Sequence, residues 1–171
     1  AWGDAGVRLL AAGAQLEADA CVIAVPASVL SRIVFEPALP ERPPIACGHA
    51  AKLFVPLREP APPSAVMSVP ERYWTWTATG ADDRPQPVLS AFSGSPGALA
   101  GLRVADGPEH WLGSVERLRP DLALDRTGAL LSTWSDDPWA GAAYSTSPPP
   151  PGQIAFGRLA FAGEHLGGAF A

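Results

Sequence analysis

Proline and glycine supply 20 and 17 of the 171 residues, and they punctuate the whole chain rather than one tail. Proline fixes φ and removes a backbone donor, and glycine weakens helix interiors, so long uninterrupted helices must be few. Most apolar runs between these breaks have strand length. Residues 7–10 read as a strand, 11–14 as a turn, 15–17 as a return strand, and 20–25 as a continuous apolar strand buried on both faces. Pro26 suits the first turn of a short helix, with Val29, Leu30 and Ile33 on one face. Residues 34–44 are proline-broken and irregular, and 45–51 read as a short helix. Residues 52–57, 73–77, 88–93 and 130–134 read as strands of an antiparallel or mixed sheet. The best helix is 107–118, where Trp111, Leu112, Val115 and Leu118 recur at helical spacing and Pro120 follows. The last strand runs through GRLAFAGEH into a Gly-Glu turn.

Several functions are excluded before any motif is read. Hydrophobic residues make up 47% and charged residues 17%, a globular balance. A net charge of -5 with no basic run argues against a nucleic-acid partner. No stretch approaches the roughly 18–20 apolar residues of a membrane span, and no signal peptide is visible, which fits a cytoplasmic enzyme. Cys21 and Cys47 make no disulfide framework and read as buried thiols. His49, His110 and His165 are scattered without acidic or cysteine partners at ligand spacing, so no metal site is expected. No nucleophile–histidine–acid set is apparent. No G-x-G-x-x-G follows a strand; GALAGL, residues 97–102, has the wrong spacing and context. The chain begins at Ala1 and its single methionine is Met67, so we expect a piece of a longer protein.

Four segments, in order, resemble the flavin-containing amine oxidases, which include monoamine, polyamine and L-amino-acid oxidases. They are EADACVIAVPASVLSRIVFEPALP, Ala51-Lys52-Leu53, WSDDPWAGAAYS and GRLAFAGEH. The first and last are shared with protoporphyrinogen oxidases and carotenoid desaturases. The third is more particular, with Trp134 ten residues before Tyr144. The resemblance implies an α/β (mixed α+β) fold: part of a Rossmann-like FAD domain plus a substrate domain with a mixed sheet flanked by helices. Residues 1–50 would be an FAD-domain segment, 51–146 the substrate domain, and 147–171 a return to the FAD domain. The expected reaction takes an amine or amino acid to an imine, with hydride transfer to flavin and reoxidation by molecular oxygen to give hydrogen peroxide.

The resemblance also assigns residues. Lys52, the only lysine of the sequence, would stand near flavin N5 and assist the reaction with oxygen. Tyr144 would be a wall of an aromatic cage that orients the amine, and Trp134 would pack near the flavin. Val7 would present backbone groups to the adenine of FAD. Gly163 would allow close backbone approach, and Glu164 would accept hydrogen bonds from cofactor hydroxyls. Ala143 stands where animal monoamine oxidases carry the cysteine that binds flavin covalently, so FAD would be held non-covalently. Phe170 lies near the place of the second cage aromatic, with too short a spacing to assign it. Trp74, Trp76 and Phe92 read equally as pocket or core. Two rivals remain: another flavoprotein of the superfamily, acting on a large apolar polyene or a porphyrinogen, and a degenerate module without catalysis.

Overall fold

The computed structural model describes residues 1–40, 45–147 and 154–167. The chain forms two compact units, Ala1–Gly48 with Asp137–Ala171, and His49–Asp136. Phe170 lies outside the described residues.

The first unit opens with β1 (Trp2–Gly3), β2 (Gly6–Ala11) and β3 (Ala14–Ala18), paired antiparallel in that order. The β2–β3 turn places Ala12 at φ 49° and Gly13 at φ 80°, the left-handed pair that a two-residue hairpin requires. β4 (Cys21–Ile23) follows. Pro26 caps a 3-10 turn, Ala27–Arg32, rather than opening an α-helix, and Val29 is its buried residue. Residues 45–51 are not helical: β5 (Cys47–Gly48) and the start of the next strand lie there. Cross-strand partners distant in sequence override the local propensity of this alanine-containing stretch.

The second unit holds β6 (Ala50–Pro56), β7 (Ala65–Ser68), β8 (Tyr73–Thr79), β9 (Pro85–Gly94), α1 (Pro96–Gly101), α2 (Glu109–Leu118) and β10 (Leu130–Thr133). Its five strands pair antiparallel throughout in the order β10-β6-β9-β8-β7. One face carries Leu53, Val55, Leu89, Ala91 and Tyr73 against Leu102, Trp111, Leu112 and Val115 of the helical segments. The Tyr73 and Trp111 rings meet edge-on at 5.9 Å. Tyr73 Oη shares a hydrogen bond with Ser114 Oγ at 3.1 Å, and Ser114 Oγ donates to Glu71 at 2.5 Å. Burial pushes the Tyr73 phenol above its ordinary pKa.

The chain then returns to the first unit through β11 (Tyr144–Ser145), β12 (Ala155–Phe156) and β13 (Leu159–Phe161). β13 pairs antiparallel with β12 and parallel with β4, aligning Leu159 with Cys21 and Phe161 with Ile23. Val7, Ile23, Leu159 and Phe161 form this unit's core. β4 is not buried on both faces, because Val22 is 63% exposed. Cys21 and Cys47 are half-buried free thiols. The unit boundaries fall at 48/49 and 136/137, against 50/51 and 146/147 read from the sequence. Residues 138–140 belong to the first unit because Ser28 Oγ donates to Ala140 O and Arg32 Nη1 to Pro138 O.

Candidate cofactor and amine site

Tyr144 and Glu164 come together, although 20 residues separate them in sequence. Two residues beyond β13, Gly163 at φ 141° leads into the 3-10 turn Glu164–Leu166. The turn aims the Glu164 carboxylate at β11. Ser145 N–H donates to Oε1 at 2.9 Å and Ser145 Oγ donates to Oε2 at 2.8 Å. Both carboxylate oxygens are therefore engaged beside Tyr144, and each keeps a second lone pair for another donor. Tyr144 faces Gly48 across the β5–β11 pair and is 40% exposed. Cys47, opposite Ser145, has its thiol pushed up by burial and then by the Glu164 charge.

Gly163 is required here for a reason the sequence did not disclose. A Cβ on it would stand 2.8 Å from Cε1 of His165, whose buried ring folds back over the glycine. His165 thus packs the turn.

Val7 lies in the core. Arg8 N–H donates to Ala1 O, and the Ala1 amine to Arg8 O, so Arg8 faces β1 and the peptide groups of Val7 face β3, where Ala18 is its partner. The Val7 side chain lines a cleft of about 450 Å3 with Trp2, Leu9, Arg32, Ile33 and Phe35.

Lys52 lies in the second unit, on the sheet face opposite the helices. The strand register aligns Ser132, Lys52, Phe92, Trp74 and Met67 in one row, and Leu130, Phe54, Ser90, Trp76 and Ala65 in the next. Because strand side chains alternate with period two, all ten share one face. Lys52 is the single charged side chain in these two rows, and among the described residues it makes no ion pair. The Trp74 and Phe92 rings pack at 4.6 Å, and Trp74 is 40% exposed. Trp74, Trp76 and Phe92 are therefore not part of the helix-covered core. In YWTWT the tyrosine and threonines point inward and the tryptophans outward, the reverse of a hydrophobicity ranking. The inward threonines are satisfied: Thr77 Oγ1 donates to Pro62 O at 2.9 Å and Thr75 Oγ1 to Val66 O at 3.3 Å. Trp74 is exposed on this face, and Trp76 and Phe92 are half-buried on it. Trp134, half exposed, lies two residues beyond Ser132, the cross-strand partner of Lys52.

Sequence reasoning missed Ser145 and Gly48. A glycine inside a strand is a recognised sign of close approach, but reading 45–51 as helix concealed it.

Residues 1–170 match the family model of flavin containing amine oxidoreductases. The chain belongs to that family. Its fold matches cyclohexylamine oxidase from Brevibacterium oxydans IH-35A at a TM-score of 0.71 with 21% identity, covering 96% of this chain and 41% of that one. It also matches wild-type putrescine oxidase bound to putrescine, at a TM-score of 0.69 and 21% identity, again covering 96% and 41%. The likeness lies in the fold: mixed α and β structure with few helices. The chain spans 41% of the length of these flavin amine oxidase structures. No helix among the described residues is long and apolar enough to cross a membrane.

Proposed function

We propose that this chain supplies the amine-binding face and part of the cofactor site of an FAD-dependent amine oxidase. The observation that carries the reading is Lys52, the one charged side chain in two rows of the sheet face that also carry Phe92, Trp74, Phe54 and Trp76. The residues fit the cofactor. Glu164 has acceptor capacity left for ribityl-type hydroxyls, Ala143 offers no nucleophile for a covalent bond, and Trp134 adds an apolar surface near Lys52. When bound, the flavin supplies the two-electron acceptor that no side chain provides.

The chain's own residues supply orientation and charge. Tyr144 holds the amine against an aromatic face so that its α-carbon points one way. Lys52 disfavours a second cation beside it and stabilises negative charge that develops on oxygen during reoxidation. On the sheet face that carries Lys52, Phe92 and Trp74 offer apolar surface. With no carboxylate in either row, a second ammonium finds no partner, so an amine with an apolar substituent is favoured over a diamine. The product imine hydrolyses in water, and oxygen leaves as hydrogen peroxide.

The test uses the FAD-loaded protein without oxygen, given benzylamine, putrescine or leucine while the flavin absorbance is followed. We expect benzylamine to bleach it, and admission of air to restore the colour with release of peroxide. Lys52→Met should slow the return of colour about 10²-fold and the bleaching far less. Failure of every amine to bleach the flavin would end this reading.

A further inference from the structure

Gly48 has no side chain, and its backbone does not explain why. It is absent from the positive-φ residues, so alanine would suit the conformation of β5. The constraint is the space above it. A Cβ on Gly48 would lie 2.8 Å from Cγ2 of Thr146 and 3.0 Å and 3.5 Å from Cε2 and Cδ2 of Tyr144. The Tyr144 ring therefore rests on the bare backbone of Gly48, its cross-strand partner. The pairing is fixed on both sides, with Ala143 N–H donating to Gly48 O at 2.9 Å and Thr146 N–H to Ala46 O at 2.7 Å. Glu164 holds the next residue, Ser145, through both its amide and its hydroxyl.

We propose that Gly48 is a positioning residue that seats the Tyr144 ring, while Glu164 clamps the strand segment beneath that ring. This rests on the reading of Tyr144 as an amine-orienting aromatic. One face of the ring lies on glycine and the other is left for a ligand. Any larger residue at position 48 lifts the ring toward that ligand. The Glu164 clamp fixes the main chain, so the ring cannot relieve the clash by sliding along β11. A carboxylate that we place beside the cofactor thereby also sets the aromatic that meets the substrate.

The chain has two tyrosines, so 3-fluorotyrosine labelling gives two fluorine resonances. Tyr144→Phe assigns one, and buried Tyr73 serves as the internal control. In Gly48→Ala we expect the Tyr144 resonance to move by more than its linewidth while that of Tyr73 stays in place. Thr146→Ser removes the other clashing methyl, and in Gly48→Ala with Thr146→Ser the Tyr144 shift should persist. Tyr144 unmoved in both variants overturns the proposal. Movement of both resonances to their unfolded positions also overturns it, because Gly48 would then be a folding requirement. In Glu164→Ala the Ser145 amide should lose its protection from hydrogen exchange; retained protection overturns the clamp. In the FAD-loaded protein, Gly48→Ala should lower kcat for benzylamine about tenfold. The loss should not add to that of Tyr144→Leu. If Tyr144→Leu leaves kcat unchanged, the amine-orienting reading fails while the fluorine result still decides whether Gly48 seats the ring.

Discussion

Arg119 brings a charge into the second unit with only 2% of its side chain exposed. Nε and Nη2 donate to the Asp121 carboxylate at 3.0 Å and 2.9 Å, and Nη2 also reaches Ser64 Oγ at 2.8 Å. Nη1 has no partner among the described residues. The hydrogen bonds from Arg119 hold the Asp121 carboxyl below its ordinary pKa. A depressed folded-state value means the unfolded chain takes up the proton first. The contribution is thus present above the unfolded pKa of about 3.9 and is lost as pH falls through the folded value. We expect Asp121→Asn to reduce stability at pH 7 by about 1–2 kcal/mol, less than for a fully buried pair because Asp121 faces water. Urea unfolding at pH 7 and pH 3 checks this, and the variant should lose less than the wild type between them. None of this was legible in the sequence, where Arg119 is one arginine among several. Glu164, by contrast, was singled out by the family resemblance at the Gly-Glu turn, but its partner Ser145 was not. That contact depends on how two chain segments meet.

At the scale of elements, the hairpin from Gly6 to Ala18 was readable because Ala-Gly between two short apolar runs leaves few alternatives. Gly13 at φ 80° should not tolerate a Cβ, and Gly13→Ala should cost about 1 kcal/mol. Ala12→Gly, at φ 49°, should change stability upward or by no more than a few tenths of a kcal/mol in thermal unfolding. The strands of the second unit were largely readable from alternation, yet their inward and outward faces were not. YWTWT fits either assignment, and the helices decide it: Trp111 and Leu112 fill the space on one side, leaving room for threonine rather than tryptophan. The aromatic face that results makes a charge-reversing test possible. Trp74→Glu places a carboxylate among Phe92, Met67 and Lys52. It should weaken benzylamine about tenfold and improve putrescine, a gain that misfolding cannot produce. Flavin bleaching rates at limiting substrate would measure both. β7 and α1 escaped the sequence reading because one is a short edge strand and the other a short helix led by Pro96, each too short for a periodic signal.

At the scale of the whole molecule, the buried hydrophobics of the described residues fall into two clusters, one in each unit. Leu53→Ala and Leu159→Ala should each destabilise by about 2–5 kcal/mol. As the two leucines share no core cluster, the double variant should be additive within about 0.5 kcal/mol. Hydrogen exchange at amides of β9 and β13 would report each loss in its own unit, and strong coupling would contradict independent cores. The sequence by itself determined the strand-rich, proline-broken character of the chain, the hairpin, helix α2, and the order of segments that marks the family. Those features arise from local sterics and periodicity, which neighbouring residues encode. The tertiary structure alone decided which face carries Trp74 and Phe92, that Val7 is a core residue with its peptide groups paired, and that residues 45–51 are strands. It also decided that Tyr144 rests on Gly48 beside Glu164. Each of these depends on a partner far along the chain, and a contact of that kind leaves no periodic trace in the segment that makes it.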